Sequence, residues 1–248
     1  MSNIKLTVVY NGTNYLGWQK TKMGPSIEEA LEKILSQILR QKIRLQAASR
    51  TDAGVHAEEQ VVNFFSEKTD IDLYRLKRGL NGLLPDDISI KAIENAPIDF
   101  HPTLDCSGKE YHYQICNSRA QLPFYRQFSW HYYYPLCIDE MQKTAVYLIG
   151  KHDFSAFCND KTTAQNNIRE IYQIDVLPLE SERLKIRIHG NAFLYNMVRI
   201  IVGTLVYIGA GKLNSDSIVE ILNSRDRTKA GITAPAHGLT LHKVFYQP

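Results

Sequence analysis

Ile4, Leu6, Val8 and Tyr10 alternate with Lys5 and Thr7, the period-two pattern of a strand with one face against a core. The cluster Asn11-Gly12-Thr13-Asn14 then breaks the alternation as a turn. From Pro25-Ser26 onward the apolar period changes. Ile27, Leu31, Ile34, Leu35 and Ile38 fall on one helical face that ends near Arg40, and Ser26 with Glu29 has the spacing of a capping box. Short strands over 43–48 and 60–66 flank a loop at 49–59. A helix over 72–81 and a strand over 88–94 complete the order β-α-β-β-α-β. That order is the ferredoxin-like split βαβ, also the layout of RNA-recognition modules.

The rest of the chain repeats the order more loosely. The pattern predicts a strand over 110–117, a helix over 139–149, strands over 168–177 and 184–189, helices over 195–208 and 216–223, and a strand over 239–246. Residues 99–107 form a seam. The expected fold class is therefore α+β, two ferredoxin-like or RRM-like halves spanning 1–105 and 106–248, each an antiparallel sheet with helices on one side.

Composition narrows the class without naming a function. Hydrophobic residues make up 44% of the 248 and charged residues 22%, which fits a folded globular protein and excludes disorder, collagen and disulfide scaffolds. The most apolar stretch, 197–208, is interrupted by Arg199, Gly203 and Thr204 and is shorter than the ~20 residues of a membrane span. Met-Ser-Asn-Ile-Lys-Leu does not begin a secretory signal. The four cysteines lie at 106, 116, 137 and 158 with no Cys-x-x-Cys pair, so reduced thiols in a cytoplasmic protein are expected, with no metal site.

Net charge is only +3, but it is unevenly placed. Residues 1–51 carry eight Lys/Arg against three acids, and residues 52–105 carry five against eleven. Lys33, Arg40, Lys42 and Arg44 fall in an acid-free run that could follow a phosphate backbone. A solvated helix face has the same pattern. Gly209-Ala210-Gly211-Lys212 lacks the first glycine of a phosphate loop, and Leu213 stands where Ser or Thr would bind magnesium. It reads as a helix end.

The segment Ser49-Arg50-Thr51-Asp52-Ala53-Gly54-Val55-His56-Ala57 carries different chemistry. It joins two strands, so a supported loop presents its side chains. Asp52 is a potential nucleophile or base, Arg50 could hold a phosphate or carboxylate, and Gly54 permits a tight bend. Asp and Gly in such a loop also commonly serve turn geometry alone.

This nonapeptide resembles the Gly-Arg-Thr-Asp-Ala-Gly-Val-His-Ala signature of the tRNA pseudouridine synthase A family. Further blocks are similar to the family in the same order: Asn11-Gly12-Thr13 with Tyr15-Leu16-Gly17-Trp18-Gln19, Gly82-Leu83-Leu84-Pro85-Asp86-Asp87-Ile88, Lys109-Glu110-Tyr111-His112-Tyr113, Asp153-Phe154-Ser155-Ala156-Phe157, Phe193-Leu194-Tyr195-Asn196-Met197-Val198-Arg199, and Ala234-Pro235-Ala236 with Gly238-Leu239. Two positions depart from it. Ser49 replaces a glycine, and Pro102-Thr103 stands where the family commonly has Ala-Arg, leaving one cation fewer.

The resemblance implies an isomerase that converts uridine to pseudouridine in the anticodon stem-loop of tRNA, without a cofactor. It implies an active-site cleft between the two halves and a homodimer that cradles the tRNA. By resemblance, Asp52 is the nucleophile, Arg199 its charged partner, Tyr111 the ring that meets the flipped uracil, and Arg50 a brace for the displaced nucleotide. A catalytically silent RNA-binding protein on the same scaffold is the alternative. Retention of Asp52 beside Arg50, Tyr111 and Arg199 argues against it, since binding alone requires no such carboxylate. A metal-dependent nuclease would need acids clustered around Asp52, and the nearest, Glu58 and Glu59, begin the next strand.

Overall fold

The computed structural model describes residues 1–159 and 166–247. The chain forms two compact units, residues 1–107 with the chain from 240 onward, and residues 108–239.

In the first unit, β1 (Ser2–Tyr10) leads through a turn to α1 (Ile27–Leu39). The helix starts where the sequence indicates, because the Ser26 hydroxyl accepts the Glu29 N–H at 3.2 Å. It stops at Arg40, whose φ of 55° is left-handed, a conformation that ends helices. β2 (Gln46–Ala47) and β3 (His56–Ser66) follow, then α2 (Leu73–Leu83), capped by Asp72, and β4 (Ile88–Ala96). β1 lies between β3 and β4, antiparallel to both, and β2 pairs antiparallel with β3. This is the ferredoxin-like order. Ile4, Leu6, Val8, Leu31, Leu35, Phe64 and Leu80 are all fully buried in it, each worth ~1.5–3 kcal/mol relative to exposure.

The expected strand over 43–48 contracts to two residues. Ile43 and Leu45 are buried while Lys42 and Arg44 are exposed, so the alternation holds. Their amides, however, are taken by α1: Ile43 N–H donates to Ser36 Oγ at 3.0 Å and Leu45 N–H to Glu32 Oε1 at 3.0 Å. The helix side chains replace the ladder.

The second unit opens on β5 (Cys106–Cys116), followed by β6 (Trp130–His131), α3 (Ile138–Ala145), β7 (Gly150–Asp153), β8 (Ile168–Leu179), β9 (Arg183–Gly190), α4 (Met197–Gly209) and α5 (Ser217–Ser224). β9 lies antiparallel between β5 and β8, and β7 pairs with β8. The helix expected over 139–149 tightens into a 3-10 turn at Val146–Leu148. β6 and β7, which the pattern did not predict, are short edge pairings. The last strand, β10 (Leu239–Tyr246), forms as expected but runs parallel to β3, with Thr240 opposite His56 and Leu241 opposite Ala57. Together with the parallel β5–β6 pair it departs from the purely antiparallel sheets expected.

The residues that interrupt the apolar run of α4 are packing devices. A Cβ on Gly203 would stand 1.9 Å from the Ile232 carbonyl oxygen, so only glycine admits that chain so close. Thr204 Oγ1 donates to Ile200 O and accepts Gly231 N–H at 2.9 Å. α4 is buried almost all round, and among the described residues no helix is long and apolar enough to cross a membrane. Its end matches the expected helix stop: Gly211 has φ +70°, and Ala210, Gly211 and Lys212 return their amides to Val206, Ile208 and Tyr207. Among the described residues no disulfide joins the cysteines.

Candidate active site

Asp52 lies in the loop between β2 and β3, half-buried, with Arg50 exposed two residues earlier. Asp52 opens a β-turn closed by Val55 N–H on its carbonyl at 3.1 Å, and Gly54 has φ +78°. That φ is what the third position of a type II turn demands. The turn reading and the catalytic reading of Asp52 and Gly54 therefore coexist.

Loops of this length are usually mobile, but this one is tied on every side. Trp18 N–H donates to Thr51 O at 3.0 Å, Gly54 N–H to Tyr15 O at 3.3 Å, and Thr51 Oγ1 meets the Tyr10 hydroxyl at 2.7 Å. Gly12 N–H donates to His56 Nδ1 at 3.0 Å, which fixes that imidazole with its other nitrogen carrying any proton. The 11–18 segment is anchored in turn at Asp87. That carboxylate accepts the Tyr15 hydroxyl at 2.5 Å, and its backbone carbonyl accepts Asn11 N–H at 2.9 Å. Burial, and then the Asp87 carboxylate, push the Tyr15 phenol well above its ordinary range, so it stays a donor.

The sequence shows a turn at 11–14 and a family-like block through 19; in the fold this segment supports the Asp52 loop. Gly12 and Gly17 show how close the two segments lie. A Cβ on Gly12 would stand 2.0 Å from Val55 O, and one on Gly17, at φ +94°, 2.5 Å from Thr51 O. Gly17→Ala is expected to cost about 1–3 kcal/mol through strain and clash, read as a lower melting temperature, and to slow turnover by displacing the loop. An unchanged melting temperature would show that the contact is slack.

The departures from the family pattern are accommodated locally. Ser49 is not among the positive-φ residues, so its backbone does not demand glycine. Thr103 Oγ1 donates to Ala47 O at 2.7 Å and Pro102 O accepts the Tyr246 hydroxyl at 2.9 Å, pinning that segment to the first unit.

Tyr111 and Arg199 belong to the second unit. Tyr111 sits on β5 opposite Ile188, is 6% exposed, and meets Phe193 edge-on at 5.2 Å. Arg199, half-buried on the first turn of α4, is held by Ala234 O at 2.7 Å from Nε and by Asn196 Oδ1 at 2.8 Å from Nη1. Asn196 occupies the helix N-cap at φ +60°, and its side chain serves Arg199 rather than the helix amides.

The segment 231–235 that supplies the Ala234 carbonyl is itself strapped down. Arg227 Nη1 donates to Gly231 O at 2.9 Å and Nη2 to Thr233 Oγ1 at 3.1 Å, while Tyr113 OH donates to Pro235 O at 2.8 Å. Burial pushes the nearby His237 below the usual imidazole range, and Arg199 adds to the shift, so His237 is neutral near pH 7.

Lys33, Arg40, Lys42 and Arg44 are all exposed, and among the described residues none pairs with a carboxylate. Lys33 lies on α1 and Arg40 caps its C-terminal end. Arg40 also puts a cation at the negative end of the helix dipole.

A family model described as tRNA pseudouridine synthase matches residues 6–105 and 144–247. The chain is 53% identical over 248 residues to tRNA pseudouridine synthase A 2 of Protochlamydia amoebophila, covering 99% of this chain and 95% of that one. It is 46% identical to tRNA pseudouridine synthase A of Thermoanaerobacter sp. over 99% of this chain and 100% of that one. With the enzyme of Ruminiclostridium cellulolyticum it shares 44% over the same spans. Motif, fold and full-length identity agree, and the chain belongs to the tRNA pseudouridine synthase family.

Proposed function

We propose that this isomerase converts uridine to pseudouridine in the anticodon stem-loop of tRNA, with Asp52 as the nucleophile. The observation that supports this most directly is the rigid loop that carries the family signature and starts its turn at Asp52. The N1–C1′ bond breaks, the uracil rotates, C5 bonds to C1′, C5 gives up its proton and N1 gains one. Atoms and electrons balance, so no cofactor is required. The ionised carboxylate of Asp52 acts on the flipped nucleotide by attack at C1′, attack at C6 or removal of a sugar proton. Tyr111 offers its ring to the extruded base, Arg50 braces the nucleotide, and Arg199 is the charged partner of the reacting carboxylate.

Incubating unmodified tRNA transcript with the purified protein and mapping pseudouridine by chemical adduction tests the reading. Modification confined to the anticodon stem-loop is expected; RNA that is bound and unmodified would favour the silent binding protein. The same reading makes the protein a homodimer, and a monomer mass by light scattering would contradict that part.

The basic run is assigned to the phosphates of the stem. Replacing any two of Lys33, Arg40, Lys42 and Arg44 by Ala is expected to weaken binding of all tRNAs about equally. Each lost contact should flatten the slope of log K against log salt by something under ~1 unit. Unchanged affinity and slope would reduce the run to a solvated face.

A further inference from the structure

Gln60, on β3, has no exposed surface. A buried carboxamide must find partners for both its ends, and Gln60 finds them on one residue. Its Oε1 accepts Ser49 N–H at 3.2 Å, and its Nε2 donates to Ser49 O at 2.6 Å.

The position of this pair in the ladder explains its use. β2 and β3 pair Gln46 with Asn63 and Ala47 with Val62, and Ala48 N–H continues to Val61 O at 2.8 Å. The next pair in register is Ser49 with Gln60. In a regular antiparallel ladder this would be a non-hydrogen-bonded pair, because Ala48–Val61 is a bonded one; here the Gln60 carboxamide takes both the N–H and the C=O of Ser49 as the strand leaves the sheet. Arg50 follows at once, and Asp52 two residues later. The register of β3 against β1 also shifts at this point, with Val8 opposite Gln60 but Tyr10 opposite Ala57. The extra residue is a bulge, a device that re-aims a strand beside a functional loop.

We propose that Gln60 is a positioning residue for the isomerisation: its two bonds to the Ser49 peptide set how the loop leaves the sheet, and so where Asp52 and Arg50 stand. This rests on the reading of Asp52 as nucleophile.

Gln60→Glu and Gln60→Leu test it in the full-length protein. Glu keeps the length and the bond from Ser49 N–H, but when ionised it sets a carboxylate against the Ser49 carbonyl. When protonated, its O–H restores the second bond. Burial raises such a carboxyl above its usual ~4.3; the charged or titratable side chains nearest along the chain are Arg50, Asp52, His56, Glu58 and Glu59. Single-turnover rates on tRNA transcript, divided by wild type at the same pH, are the readout. For Gln60→Glu the expected ratio is near one at about pH 5.5 and falls roughly 10²-fold by about pH 8, the scale of a reacting group displaced by an ångström. Gln60→Leu should be slow at both, and tRNA affinity should hold throughout.

A ratio for Gln60→Glu that ignores pH overturns the proposal, whether or not Gln60→Leu folds. So does a folded Gln60→Leu at the wild-type rate. An active Asp52→Asn overturns both readings, whereas an inactive one beside an active Gln60→Leu overturns this one alone.

Discussion

Asp52→Asn is expected to lower turnover by more than ~10⁴-fold, the range seen when a nucleophile is removed, while tRNA affinity stays within a few fold. The prediction is sharp because many of the loop's ties run through groups other than the carboxylate. These ties use the Ser49 peptide, Thr51 O and Oγ1, the carbonyl of Asp52 and Gly54 N–H. Asn keeps every one of these, and its volume is the same. Loss of rate with an unchanged melting temperature therefore reports on chemistry. Residual multiple turnover, in protein freed of host enzyme, would remove Asp52 from the mechanism.

The second large effect is expected at Arg199. Arg199→Ala should leave tRNA binding nearly intact and slow the chemical step by ~10²-fold or more, through loss of a positioned charge. A stability cost accompanies it, since Ala234 O loses its Nε donor, and an unsatisfied buried carbonyl costs about 1–3 kcal/mol. The strap survives. Ala234 N–H still bonds Arg199 O at 3.1 Å, Gly231 stays on Thr204 and Arg227, and Pro235 stays on Tyr113. Arg199→Lys restores charge without the planar fork and should recover only part of the rate. Single-turnover measurements at saturating enzyme separate the cases. Weak binding with a wild-type saturated rate would place Arg199 in the RNA cradle instead.

Much of the scaffold was readable because local signals agreed with the fold. The β1 alternation, the α1 stripe with its Ser26 cap, and the Gly211 stop each needed only neighbours in sequence. What escaped was decided at a distance. Nothing in 43–45 announces that Ser36 and Glu32 will take its amides. Nothing in 239–246 states which strand it joins, because parallel pairing leaves no local mark.

Asp52 and Arg50 were found by motif, but the residues that hold them were not. Gly12 read as a turn residue and Gly17 only as part of the family's opening block, although the role of both is close approach. Gln60 carried a usable signal, a carboxamide directly before Val61-Val62 and close to Phe64-Phe65, which a buried strand tolerates only when partnered.

The pairing of β10 with β3 bears on how the protein is made. Chains emerge from the ribosome N-terminus first, at roughly 5–20 residues per second. Most of the first unit is complete when β4 has emerged, yet its sheet still lacks the strand that borders His56 and Ala57, immediately after the Asp52 loop. That strand is made after β1–β9. A nascent chain thus carries Asp52 beside an unfinished sheet until residues 239–246 emerge, and closing the sheet must bring together residues about 184 apart, the kind of contact that folds slowly. Truncation before residue 239 should accordingly injure the site at residue 52, although the two are far apart in sequence.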